Sequence, residues 1–201
     1  MNFDPRNLLS APKIYQLFDN LIGGTNARKR LIREFLKTGV RDNILDVGCG
    51  PGSMRKFLLC ETYCGIDISS KYISAARQQN DRDRFIVRAV TDKTSLKDLG
   101  KFDLVIAIGF LHHLNDGELI SLFAAAKEVL NPGGRVVTLD NVFVAEQSIM
   151  ARWIISLDRG KHVRTKEAYA ALARQQFQQV RTTILHDLIR IPYTHIVMEC
   201  R

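Results

Sequence analysis

Between Ile44 and Asp140 short β-type runs alternate with helical patterns, and this rhythm limits the fold more than any other feature. Ile44–Val47, Tyr63–Ile66, Arg84–Val90, Phe102–Ile108 and Arg135–Asp140 read as five strands, with residues 53–59, 69–80 and 116–130 as helices among them. Phe102–Ile108 is apolar almost throughout, as expected of a parallel strand buried on both faces. Ser69 or Ser70 opens one helix, and Asn131-Pro132-Gly133-Gly134 stops another. Repeated strand–helix–strand units imply a parallel sheet with right-handed crossovers.

Beyond Asp140 the rhythm breaks. Residues 145–157 and 166–178 read as helices around the polar loop DRGKHVRT (158–165). The β-like runs Val180–Leu188 and Tyr193–Cys200 close the sequence. The link between them is too short for a crossover helix, so they pair antiparallel. Ahead of the first strand, residues 13–22 and 26–38 have helical spacing, with Asn26 as N-cap and Gly39 as stop for the second.

A length of 201 residues suits one domain with a full core. No apolar run approaches the roughly 18 residues of a membrane span. MNFDPRNLLS lacks the basic and apolar regions of a signal peptide. Four cysteines make no disulfide framework, so reduced thiols and a cytoplasmic setting are expected. The net charge of +8 is unevenly spread. Residues 1–43 hold eight basic and four acidic side chains, residues 44–140 twelve of each, and residues 141–201 nine against five. The excess in the flanks is either a set of solvated helix faces or an attractor for an anionic substrate or nucleic acid.

The first strand runs into NILDVGCGPGS (43–53). Glycines there allow unusual backbone angles and close approach of a ligand. A helix starting near Ser53 would offer free N–H groups to an anion. Asp67 ends the second strand, where a carboxylate can accept hydrogen bonds from both ribose hydroxyls. A dinucleotide turn would read G-x-G-x-x-G, but Ser53 occupies the third glycine's place. Asp46, just before the turn, would repel a pyrophosphate and attract an ammonium or sulfonium. The pattern favours an adenosine-type ligand with a cationic amino-acid end.

ILDVGCGPG (44–52), GIDIS (65–69), FDLVIAIGFLHHL (102–114) and LNPGGRVVTLD (130–140) together resemble successive motifs of class I S-adenosylmethionine-dependent methyltransferases. The resemblance covers roughly residues 40–140 and the closing antiparallel pair. It implies an α/β fold: a Rossmann-like, seven-stranded, mostly parallel sheet of order 3-2-1-4-5-7-6, the last strand antiparallel, with helices on both faces. It also implies one methyltransferase domain over residues 1–201, with S-adenosyl-L-methionine as cofactor. Gly48 and Gly50 would then lie against the methionine part, Asp46 orient its amino group and Asp67 hold the ribose. Ile68 would cover one adenine face, and Ile108 and Gly109 would border the reacting methyl. The family often has an acid after strand three, but Ala89 stands here. Asp92, or backbone groups at Ala89–Val90, would take over the adenine contact.

Methyl transfer from a sulfonium is an in-line displacement in which placement can supply most of the acceleration. A base is needed only for a weakly acidic nucleophile. His112 and His113 follow the fourth strand, where either can accept a proton or simply shape the loop. As neighbours they are expected to point apart. His162, His186 and His195 read as structural or surface residues. The acceptor is expected to meet residues 141–178 and an N-terminal cover over residues 1–39. Asn141, Arg159 and Arg164 are candidate contacts, with Lys161 and His162 in the same loop, and the arginines suit a carboxylate or phosphate. The alternative is an ion pair between Asp158 and one of them. Tyr15 and Phe18 either close the pocket or merely pack. The expected function is methyl transfer to a small, anionic acceptor. An RNA or protein acceptor, or a non-catalytic cofactor-binding subunit, are the alternatives.

Overall fold

The computed structural model describes residues 23–90, 94–156 and 160–201. The expectations for the 13–22 helix, Tyr15, Phe18, Asp92, Asp158 and Arg159 lie outside those residues.

The elements, in chain order, begin with α1 (Gly24–Leu31), extended by one π-turn (Ile32–Leu36), then β1 (Asn43–Val47), β2 (Thr62–Asp67) and α2 (Ser70–Gln79). β3 (Arg84–Val87), β4 (Phe102–Ile108), α3 (Asp116–Glu128) and β5 (Leu130–Phe143) follow. α4 (Ile149–Ser156), β6 (Arg164–Thr165), α5 (Lys166–Arg174), β7 (Val180–Leu185) and β8 (His195–Cys200) complete the order. The sheet runs β3-β2-β1-β4-β5-β8-β7, with β6 attached beside β5. Apart from the two-residue β6, this is the expected order. β8 lies antiparallel to both β5 and β7.

One core lies on each face of the sheet. On one side α3 and α5 bring Leu119, Phe123, Tyr169 and Leu172 against Leu45, Val105 and Val136. On the other, α1 and α2 bring Leu31 and Ile73 against Ile44, Ile106 and Val137. Alternation along each strand feeds both layers. Local signals set the helix ends. The Ser69 hydroxyl accepts from the Tyr72 N–H, and Asn115 and Glu118 form a reciprocal capping box. Among the described residues no helix is long and apolar enough to cross a membrane.

Four local expectations are corrected. No α-helix follows the glycine turn, only a 3₁₀ turn at Arg55–Phe57. Arg55 is held by Asp83 and by the Leu58 carbonyl, and Leu58 is already extended. No helix N-terminus therefore faces a ligand there. α1 is capped by Gly23, not Asn26, and its π-turn closes at Lys37 in the left-handed conformation, before Gly39. Asn131-Pro132-Gly133-Gly134 does not end one element and start another. It bulges out of β5, since Phe102 pairs with Leu130 while Leu104 pairs with Arg135. β3 stops at Val87, which leaves Ala89 and Val90 in a connection.

Candidate active site

β1 and β4 are adjacent although β2 and β3 intervene in sequence, so the sheet order reverses between them. Ligands of doubly wound sheets bind beyond the strand C-termini at such a point. A cavity lies there, lined by Asp46, Gly48 and Gly50 from β1 and its turn, Asp67 from the end of β2, Ile108 from the end of β4, and Gly109, Phe110 and His113 after it. Arg28 of α1, Tyr72 of α2, and Cys49, Pro51, Ser53 and Met54 complete the lining.

The turn is built by backbone angles that side chains resist. Gly48, Gly50 and Gly52 have φ of 72°, 53° and 75°. At Gly48 a Cβ would also fall 2.4 Å from the Phe110 ring. The Gly48 and Cys49 N–H groups donate to the Ile66 carbonyl, which pins the turn to β2. Asp67 receives the Gly50 N–H on one oxygen at 3.0 Å and the Ser69 N–H on the other at 2.8 Å. Each carboxylate oxygen retains accepting capacity for a hydroxyl.

Asp46 is buried, and the Tyr63 hydroxyl donates to it at 2.6 Å. Burial pushes its carboxyl up to about 7, with Asp67 adding repulsion and Tyr63 opposing. A cation entering beside it would favour the charged carboxylate and offset the cost of its burial. Burial also pushes the Cys49 thiol far up, which makes it a packing residue of the turn.

The two histidines have different surroundings. His113 is exposed and lines the cavity. His112 is buried, and its Nδ1 pairs closely with Asp140, itself buried at the end of β5. Asp140 also accepts the N–H groups of Phe110 and Leu111, so it fixes the whole connection after β4. Gly160 covers His112 so tightly that a Cβ there would lie 1.8 Å from the imidazole. His112 therefore holds the loop rather than facing the cavity. The two rings do not point apart, because the 3₁₀ turn brings their centroids within 4.1 Å.

Arg164 is also corrected as an acceptor contact. Its buried guanidinium donates to the carbonyls of Leu114 and His162 at 2.7 and 2.8 Å and pairs with Asp116. Those bonds tie β6 to the loop after β4. Asn141 is buried on β5, donates to the Tyr193 hydroxyl at 2.9 Å, and sits opposite His195. It is not among the cavity's lining residues, and neither are Ala89 and Val90. Ile68, next to Asp67, is 73% exposed.

One cavity residue escapes the sequence reading. Arg28 lines the cavity, but in sequence it is one cation of the run Arg28-Lys29-Arg30. His195 shares a sheet face with Asn141 and lies 4.9 Å from the Tyr193 ring. Burial pushes its imidazole down to about 4, so it stays neutral. Arg28 has no local motif, since long-range packing places it at the cavity, whereas His195 is the packed structural residue the sequence suggests.

The comparisons agree with this geometry. Residues 45–138 match the model of the family described as methyltransferase domain. An uncharacterized methyltransferase of Bacillus mycoides is 26% identical over 60% of this chain and 57% of its own length. A probable fatty acid methyltransferase of Pseudomonas putida is 31% identical over 49% of this chain and 28% of its own. Residues 45–138 of this chain are thus similar to a methyltransferase domain. The chain spans a little over half the length of the first curated relatives it matches. The structure of a TehB-like S-adenosylmethionine-dependent methyltransferase from Corynebacterium glutamicum superposes with a TM-score of 0.68, at 15% identity, covering 98% of this chain and 100% of that one. The fold is shared with that protein, which is named for its dependence on S-adenosylmethionine. The donor set fits that molecule: carboxylates for an ammonium and for hydroxyls, a guanidinium for a carboxylate, and glycines where the backbone must come close.

Proposed function

We propose that this chain transfers a methyl group from S-adenosylmethionine to a small acceptor molecule. One observation carries the reading: Asp46, Asp67 and Arg28 converge on one cavity around a left-handed glycine turn. Two acids and one guanidinium suit a ligand with a cationic centre, a carboxylate and a diol. When bound, the cofactor supplies an electrophilic methyl on a good leaving group. Asp46 receives the ammonium, Arg28 the carboxylate and Asp67 the ribose hydroxyls, while exposed Ile68 covers an adenine face. Ile108 and Gly109 border the methyl, and Phe110 packs over Gly48 to keep the turn in place. His113 is the imidazole at the cavity able to take a proton from an acceptor. His112 and Asp140 position it by fixing their loop.

A small acceptor is supported by the relative named as a probable fatty acid methyltransferase. An anionic acceptor loses support from Arg164, whose donors are committed within the protein. Titration calorimetry with S-adenosylmethionine and S-adenosylhomocysteine tests the reading. Micromolar binding of both is expected, and folded protein that gives no heat with either would sink it.

A further inference from the structure

α4 (IMARWIIS) is apolar on nearly every side yet lies at the surface. Ala151 and Ile155 form its buried face. Ile149, Met150 and Trp153 are 89%, 59% and 62% exposed. Spacings of three and four residues place these three side chains in one stripe. A helix apolar all round is normally buried, and a contiguous exposed apolar patch marks an interaction site. α4 packs on β5 and follows its C-terminal end, the edge of the sheet at which the cavity lies.

Charge and residue type indicate what covers the stripe. Residues 141–201 hold nine basic side chains against five acidic, within a chain of net charge +8. Arg152, Lys161 and Lys166 are exposed on α4 and on the segment after it. A tryptophan flanked by aliphatic side chains, amid basic residues, is the composition of a helix lying in a water–bilayer interface. Anionic lipid headgroups attract juxtaposed basic residues. We propose that α4 docks this protein on an anionic lipid bilayer, with Ile149, Met150 and Trp153 entering the interface and the surrounding cations meeting the headgroups. The inference rests on α4 and its charge, not on methyl transfer, and its test does not involve the cofactor.

Trp153 is the sole tryptophan, so the proposed contact carries its own probe. The full chain is mixed with vesicles of phosphatidylglycerol and phosphatidylcholine, or of phosphatidylcholine alone, and followed by tryptophan emission and co-sedimentation. A blue shift and pelleting with the anionic vesicles, weakened by salt, are expected. Ile149→Ser/Met150→Ser alters only exposed side chains and keeps the reporter. It should lose most of the shift and the pelleting while melting like the parent. No shift with anionic vesicles, or equal binding to neutral ones, would overturn the proposal. Undiminished binding by the double variant would also overturn it, by placing the contact elsewhere on the basic surface. Concentration-dependent dimerisation without lipid, abolished in the double variant, would assign the stripe to a second copy instead.

Discussion

Arg28 and Asp46 line the same cavity with opposite charge, and each makes a separable prediction. If Arg28 receives the methionine carboxylate, Arg28→Gln should weaken S-adenosylmethionine and S-adenosylhomocysteine about tenfold to a hundredfold, the worth of one hydrogen bond to a charged group. Binding of 5′-methylthioadenosine, which lacks the amino-acid part, should stay within about twofold. Equal losses for all three ligands in calorimetry would show that Arg28 supports the fold instead. Asp46 is predicted through its proton. Its carboxyl is raised to about 7 in the folded protein, above the ordinary 3.8. The folded state therefore holds this proton more tightly than the unfolded one. Its contribution to stability is complete below about pH 4 and is lost as pH rises to about 7. Asp46→Asn should remove that loss, so the ligand-free variant should melt higher than the parent at pH 8. The same substitution should abolish cofactor binding, because the carboxylate has the function and the burial has the cost. A lower melting temperature at pH 8 would contradict the assignment. Asp46 and Asp67 were legible because a short motif fixes their places, whereas Arg28 was not because helix packing brings it to the cavity.

The connection after β4 shows why some elements could be read from sequence and others could not. Strands β1, β2 and β4 and helices α2 and α3 matched their patterns within a few residues, since hydrophobic periodicity and caps are local. The turn after Gly52 and the Asn-Pro-Gly-Gly bulge did not, because side-chain ties to Asp83 and pairing with β4 override local preference. His112 and Arg164 read as reactive or ligand-binding groups from their residue type. Their long-range partners, Asp140 and the carbonyls of Leu114 and His162, make them structural. Arg164→Met should thus cost roughly 3 kcal/mol of stability by orphaning buried acceptors. At about 2–4 °C per kcal/mol for a chain of this size, the melting temperature should fall by about 6–12 °C. Cofactor affinity of the folded variant should change less than about threefold, because Arg164 does not line the cavity. A marginal change in melting with a large change in acceptor turnover would return Arg164 to the substrate. Gly160→Ala should act on the same joint, since its Cβ would collide with His112.

At the scale of the molecule the cavity gathers residues from α1, β1, β2, α2 and the connection after β4. Those elements are spread over residues 28 to 113 and lie on both sides of the switch between β1 and β4. A ligand held by all of them binds the folded state and has no comparable partner in the unfolded chain. It must then stabilise the fold in proportion to its occupancy. At a hundred times its dissociation constant the gain is about 2.7 kcal/mol. For a chain of this length that raises the melting temperature by roughly 5–10 °C. S-adenosylhomocysteine should give the shift as fully as the methyl donor, because Asp46, Arg28 and Asp67 are proposed to hold the amino acid and the ribose, and none of the three needs the methyl. Asp67→Ala should nearly erase it at the same ligand concentration, through lost ribose bonds and a turn no longer held at Gly50. An adenosine shift as large as that of S-adenosylhomocysteine would mean that the amino-acid end makes no net contribution. In that case the acid–guanidinium pair built from β1 and α1 would serve some other ligand.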